Sequence, residues 1–152
     1  MRVLFVCLGN ICRSPTAEAV MRDLIEREGL AGEIEIDSAG TGDWHVGKSS
    51  DPRAIRAAAT RGYEMTSRAR QVSTADFEDF DLIVAMDRSN RDDLVALAGG
   101  DESKVRLLRS YAGDPDPDVP DPYFGGEDGF EEVLDILERN CELLLAEIRP
   151  PE

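Results

Sequence analysis

Positive charge is scarce in this chain. Seventeen Lys and Arg stand against 32 Asp and Glu, giving a net charge of −15 and a pI near 4.4. Such a balance argues against nucleic acid as a partner. Histidine occurs once, at 45, and cysteine only at 7, 12 and 141. These positions give no zinc-ligand spacing, so no metal site is expected. An odd cysteine number without a sign of secretion argues against a disulfide framework and for reduced thiols in the cytoplasm. The first residues run directly into an apolar stretch, without a signal-peptide pattern. No apolar run reaches the roughly 18 residues of a membrane span, so no membrane partner is expected. Walker-type and dinucleotide glycine patterns are missing as well, and no cofactor is expected.

What is present suits one domain over residues 1–152, with 41% hydrophobic residues to build its core. Residues 3–6 are continuously apolar, as in a parallel strand buried on both faces. A helix follows from about 15 to 28, with Ala17, Val20, Met21, Leu24 and Ile25 on one face. Residues 34–37 alternate apolar and acidic, as a strand does. A Gly- and Ser-rich loop then carries Trp44 and His45, and His45 reads as a hydrogen-bonding loop residue rather than a base. Asp51 caps a helix beginning at Pro52 and closing near 62. Residues 73–80 hold a short helix, 82–86 a strand, 88–98 a helix and 105–108 a strand. A loop dense in Asp, Pro and Gly spans 110–128, and the last helix covers about 129–148. Loops of that length in compact domains are functional or disordered. Strands alternating with helices define an α/β fold with a parallel sheet, whose ligands bind beyond the strands' carboxyl ends.

The first strand and first helix meet in residues 7–15. Gly9 and Asn10 tolerate a left-handed backbone, so the loop can curl with its N–H groups inward. Together with the helix N-terminus these groups form an anion cradle. Arg13 adds a planar fork that fits two phosphate oxygens. A helix N-terminus and a guanidinium both favour thiolate over thiol, which makes Cys7 a candidate nucleophile. The negative bulk charge repels an anionic substrate, so the loop must concentrate positive potential locally. A proton donor is also needed, and Asp114, Asp116, Asp118 and Asp121 of the long loop all compete for that part. Cys141 lies on the apolar stripe of the last helix and reads as core.

The run Cys7-Leu8-Gly9-Asn10-Ile11-Cys12-Arg13-Ser14-Pro15 resembles the signature of the low-molecular-weight protein tyrosine phosphatases. The similarity covers nearly the whole chain. It continues through Asp37-Ser38-Ala39-Gly40-Thr41, Trp44-His45-Val46-Gly47, Asp51-Pro52-Arg53-Ala54, Ala69-Arg70-Gln71, Asp76-Phe77, Phe80-Asp81, Met86-Asp87 and Asp121-Pro122-Tyr123. The resemblance implies a single doubly wound domain with a four-stranded parallel sheet in flavodoxin-like order. It implies a cysteine-dependent phosphatase hydrolysing phosphotyrosine in proteins through a phosphocysteine intermediate. Cys7 is then the nucleophile and Arg13 the phosphate clamp, with Leu8, Gly9, Asn10, Ile11, Cys12 and Ser14 forming the phosphate-binding loop. Asp121 matches the family's general acid, with Asp118 as the alternative. Trp44, Tyr123 and Phe124 are the expected substrate walls, Phe124 replacing a second Tyr common in the family.

Ser38 is expected to support the loop. So is Ser67, which replaces a His of the family pattern. A Cys7–Cys12 pairing that guards the nucleophile, hence a redox-sensitive thiol, is likewise implied by the resemblance. The expected partner is a phosphotyrosine-bearing protein, a tyrosine kinase among the candidates, and the expected state is a monomer. Protein arginine phosphatases share this fold but carry Thr at the position of Ile11. An apolar Ile suits a phenyl ring better than a guanidinium. Thiol-dependent arsenate reduction needs a further cysteine pair near the third strand, and this chain has no cysteine between 12 and 141. A phosphotyrosine-binding module would lack the nucleophile or the acid.

Overall fold

Strand β1 (Arg2–Cys7) is apolar because both of its faces are covered. In the computed structural model, which describes residues 1–151, Val3, Phe5 and Cys7 face one core and Leu4 and Val6 the other. Strands β2 (Glu35–Gly40), β3 (Leu82–Ala85) and β4 (Val105–Leu107) complete a parallel sheet in the order β2-β1-β3-β4. This is the flavodoxin-like order implied by the resemblance. Helices α1 (Arg13–Arg27) and α5 (Glu127–Ile148) close the first core, with Ala58 of α2 (Pro52–Thr60) at its edge. Helix α4 (Arg88–Leu97) and the short α3 (Asp76–Asp79) lie over the second. A fully buried Phe5 or Leu134 contributes about 1.5–3 kcal/mol to this packing.

Some element ends differ from the sequence pattern, and the differences shape the site. Strand β2 runs to Gly40, past the expected end at 37, because its register on β1 continues to the pair Cys7↔Gly40. A Cβ at Gly40 would lie 2.7 Å from the Leu8 carbonyl oxygen, so only glycine lets the loop pass this closely. Helix α1 begins at Arg13, ahead of Pro15, which puts Arg13 and Ser14 in its first turn. The loop 110–128 is not wholly irregular, since Pro122–Phe124 form a 3-10 turn started by the Asp121 side chain. Sheet order reverses between β1 and β3, and the loop 8–12 leaves β1 at that switch point.

Candidate active site

Cys7 is the last residue of β1, and its sulfur lies 3.0 Å from Ser14 Oγ. Ser14 is fully buried in the first turn of α1. Asn10, with φ of 55°, is the one non-glycine residue with positive φ among those described. Its amide nitrogen Nδ2 donates to Ser14 Oγ at 2.8 Å and to Ser38 Oγ at 3.0 Å. Its Oδ1 accepts from the Arg70 backbone N–H at 3.0 Å. Ser38 in turn donates to Glu18 Oε1 at 2.6 Å, and Arg22 pairs with Glu18 Oε2 at 2.7 Å. The loop is therefore held from inside the protein. Its amides at Gly9, Asn10, Ile11 and Cys12 have no protein acceptor among the described residues. Helix α1 has no side-chain cap. Free donors around a thiol are an arrangement for an oxyanion.

Ser38 stands between Asn10 and Glu18. Ser67 does not join this network among the described residues. The Arg70 main chain and Glu18 hold Asn10 and Ser38. Glu18 carries no local sequence signal, since an acid on a helix reads as solvated, yet it is 3% exposed.

Arg13 is also 3% exposed. Its Nη1 donates to Asp87 Oδ2 at 2.7 Å and to the Val119 carbonyl at 3.1 Å, and its Nη2 lies 3.5 Å from Asp121 Oδ2. Burial works against its charge, but the Cys7 sulfur, Asp87 and Asp121 outweigh it and hold the guanidinium above its ordinary value. Asp87 also caps α4, accepting from the Asn90 N–H at 2.7 Å, so it is fixed before it meets Arg13. Its motif is visible in the sequence, but its partnership with Arg13 spans 74 residues and is not.

The four loop acids separate. Asp121 borders the same pocket as Cys7 and Arg13, with Oδ1 accepting from the Tyr123 N–H at 3.0 Å. Asp118 turns both oxygens to Arg88, whose hydrogen bonds and charge, opposed by burial, hold its carboxyl below the usual range. Asp114 pairs with Arg109 and Arg139, and Asp116 lies 3.8 Å from Arg109.

The pocket holds about 240 Å³. Cys7, Leu8, Gly9, Ile11, Cys12 and Arg13 form its base, and Trp44, His45, Tyr123 and Asp121 its rim. Trp44 is 66% exposed, a free aromatic face rather than core. Tyr123 lines the same pocket, with the His45 ring centroid 6.2 Å away. His45, which the sequence pattern reads only as a hydrogen-bonding loop residue, thus also lines the pocket. Arg53 braces Tyr123, donating to its carbonyl at 2.9 Å and lying 5.7 Å from its ring centre. The Phe124 side chain lies outside the described part of the structure. Cys12 is buried, and its Sγ lies 3.9 Å from Asp51 Oδ2. Burial and the charges of Asp51, Cys7 and Asp121 push its thiol well up, against a smaller opposing effect of Arg53. All three cysteines are free. Among the described residues, no group of three His, Cys, Asp or Glu is placed to hold a metal ion. No helix there is long and apolar enough to cross a membrane.

A thiol, a buried arginine and an uncapped helix N-terminus around one pocket are the parts of a cysteine-based phosphatase. The family pattern described as low molecular weight phosphotyrosine protein phosphatase matches residues 2–151. The chain is 51% identical to a low molecular weight protein-tyrosine-phosphatase of Streptomyces coelicolor, over 97% of this chain and 93% of that one. Its structure is similar to that of a protein tyrosine phosphatase from Entamoeba histolytica, crystallised with Hepes in the active site. The TM-score is 0.92 at 42% identity, over 97% of this chain and 96% of that one. A Drosophila arginine phosphatase also superposes, with a TM-score of 0.92 at 35% identity over the whole of both chains. The chain belongs to the low molecular weight phosphotyrosine protein phosphatase family.

Proposed function

We propose that Cys7, Arg13 and Asp121 carry out the hydrolysis of phosphotyrosine in proteins, with one domain supplying the whole site. The observation that carries this reading is that these three side chains border one pocket with aromatic walls. The Cys7 thiolate attacks phosphorus in line, and the bond from phosphorus to the phenolic oxygen breaks. Asp121 gives its proton to that oxygen, so tyrosine leaves neutral. The loop amides and the Arg13 fork hold the three equatorial oxygens while charge spreads over them. The Asp121 carboxylate then takes a proton from water as that water attacks the phosphocysteine. The phosphorus–sulfur bond breaks, inorganic phosphate is released and the thiolate returns. Ser14, donating to the sulfur, makes Cys7 a better leaving group in this second step. Trp44 and Tyr123 sandwich the phenyl ring.

The Drosophila arginine phosphatase, alike in fold, raises a second reading, phosphoarginine in proteins. Ile11 at the pocket base supports phosphotyrosine, because a guanidinium needs hydrogen bonds that an aliphatic surface cannot make. The proposed partner is a phosphotyrosine-bearing protein, a tyrosine kinase among the candidates. The unpaired thiols fit a reducing, cytoplasmic setting. A phosphotyrosyl and a phosphoarginyl peptide should be hydrolysed side by side, with Cys7→Ser as blank. Turnover of the first alone, abolished in the variant, is the expected result. Preference for the second overturns the substrate assignment and leaves the thiolate mechanism standing. Activity that survives Cys7→Ser overturns the mechanism.

A further inference from the structure

We infer that the Arg88–Asp118 ion pair is a positioning device for the proton donor Asp121, and so governs how well the enzyme expels a poor leaving group. The inference rests on the reading of Asp121 as general acid. Asp121 sits in the long loop after β4, and that loop must be held at defined points if its carboxylate is to meet the leaving oxygen. One point is Val119, whose N–H donates to the Met86 carbonyl at 2.8 Å and whose carbonyl accepts from Arg13. The residue before it supplies a second. Asp118 Oδ1 accepts from the Arg88 backbone N–H at 2.9 Å and from Nε at 3.2 Å, and Oδ2 accepts from Nη2 at 3.1 Å. The Asp118 carbonyl accepts from Arg109 at 2.8 Å.

Exposed ion pairs are individually weak, but this one is forked and includes a backbone N–H at the start of a helix. The chain from there to the acid reads Val119-Pro120-Asp121-Pro122. Two prolines fix φ on either side of Asp121 and confine the residues before them to extended backbone. A shift at Asp118 is therefore passed to Asp121 rather than absorbed. The N-terminus of α4 is the common base of the arrangement. Asp87 there holds Arg13, and Arg88 beside it holds Asp118. The spacing of phosphate clamp and acid is set from that one helix end.

The test compares kcat/KM on phenyl phosphate and p-nitrophenyl phosphate, which are similar in size but differ in their need for a proton. The variants are Arg88→Ala, Asp118→Ala, both together, Arg88→Lys and Asp121→Asn. Arg88 is a largely exposed side chain, so its variants fold. The expected loss for Arg88→Ala or Asp118→Ala is about tenfold on phenyl phosphate, a part of what a general acid supplies. The expected loss on p-nitrophenyl phosphate is no more than about threefold. The double variant should be no worse than either single one, and Arg88→Lys, which keeps the charge but not the fork, should recover only part of the loss. Equal losses on both substrates, additive losses or no loss overturn the inference, provided Asp121→Asn shows the selective loss. If Asp121→Asn itself falls equally on both substrates, the acid assignment fails, and the inference falls with it.

Discussion

The hydroxyl oxygen of Ser14 lies 3.0 Å from the sulfur of Cys7, at the buried floor of the pocket. The same oxygen accepts from Asn10, and its own proton is shared between the Cys7 sulfur and the Ala39 carbonyl 3.3 Å away. A hydrogen bond to a charged group is worth about 1.5–3 kcal/mol. Ser14→Ala is expected to lower kcat by roughly 10–100-fold with little change in KM. Steady-state kinetics on a phosphotyrosyl peptide reads this, and burst kinetics should show phosphocysteine accumulating.

Two glycines two residues apart predict opposite outcomes. At Gly42 an added Cβ meets the Trp44 ring at 1.9 Å, the far end of an exposed side chain that can swing away. Gly42→Ala should raise KM about 2–10-fold, the worth of one aromatic stack, and leave kcat in place. At Gly40 the obstacle is the Leu8 carbonyl, which is backbone. Gly40→Ala should move the loop and lower kcat on the order of a hundredfold.

Asp87→Ala leaves the Arg13 guanidinium buried without its shortest partner. The expected cost is about 2–3 kcal/mol, below the range for fully buried pairs because Asp87 is 20% exposed. Urea unfolding measures it. Inorganic phosphate should restore more stability to the variant than to the parent, since an oxyanion in the pocket re-pairs Arg13.

Acid should weaken the fold through Asp114. Its carboxyl is 5% exposed and is held below its ordinary value by the Arg109 hydrogen bond, with Asn140 and Arg139 adding to it and burial opposing. A group depressed in the folded state stabilises above its unfolded value, about 3.9, and that stability is lost as pH falls through the folded value. Melting temperature should therefore drop below about pH 4. Asp114→Asn should melt lower near neutral pH, and its gap to the parent should close in stronger acid.

The sequence makes the sheet and the loop easy to read because both depend on neighbours in the chain. The apolar run in β1 and the Cys-x5-Arg-Ser spacing are local patterns with one physical solution. The end of β2 is less legible. Ser38, Ala39 and Gly40 look like loop residues, yet they pair with β1, and at Gly40 the curled loop leaves no room for a Cβ. Glu18 and Asp87 are harder still. Each is an ordinary helix-surface or capping acid until distant residues, Ser38 and Arg13, close over it. The four acids of the long loop look alike on paper. Only the placement of Arg88, Arg109 and Arg139 separates those that are tied up from the one that faces the pocket.

The loop around Cys7 and its supports Ser38 and Glu18 lie between 7 and 40, within one strand-helix-strand unit, while Asp121 arrives from a separate stretch far along the chain. In the proposed mechanism, recognition of the oxyanion and treatment of the departing alcohol thus occupy different genetic addresses. Drift in the late loop away from Val119, whose carbonyl holds Arg13, can retune which esters are turned over while the early unit stays fixed.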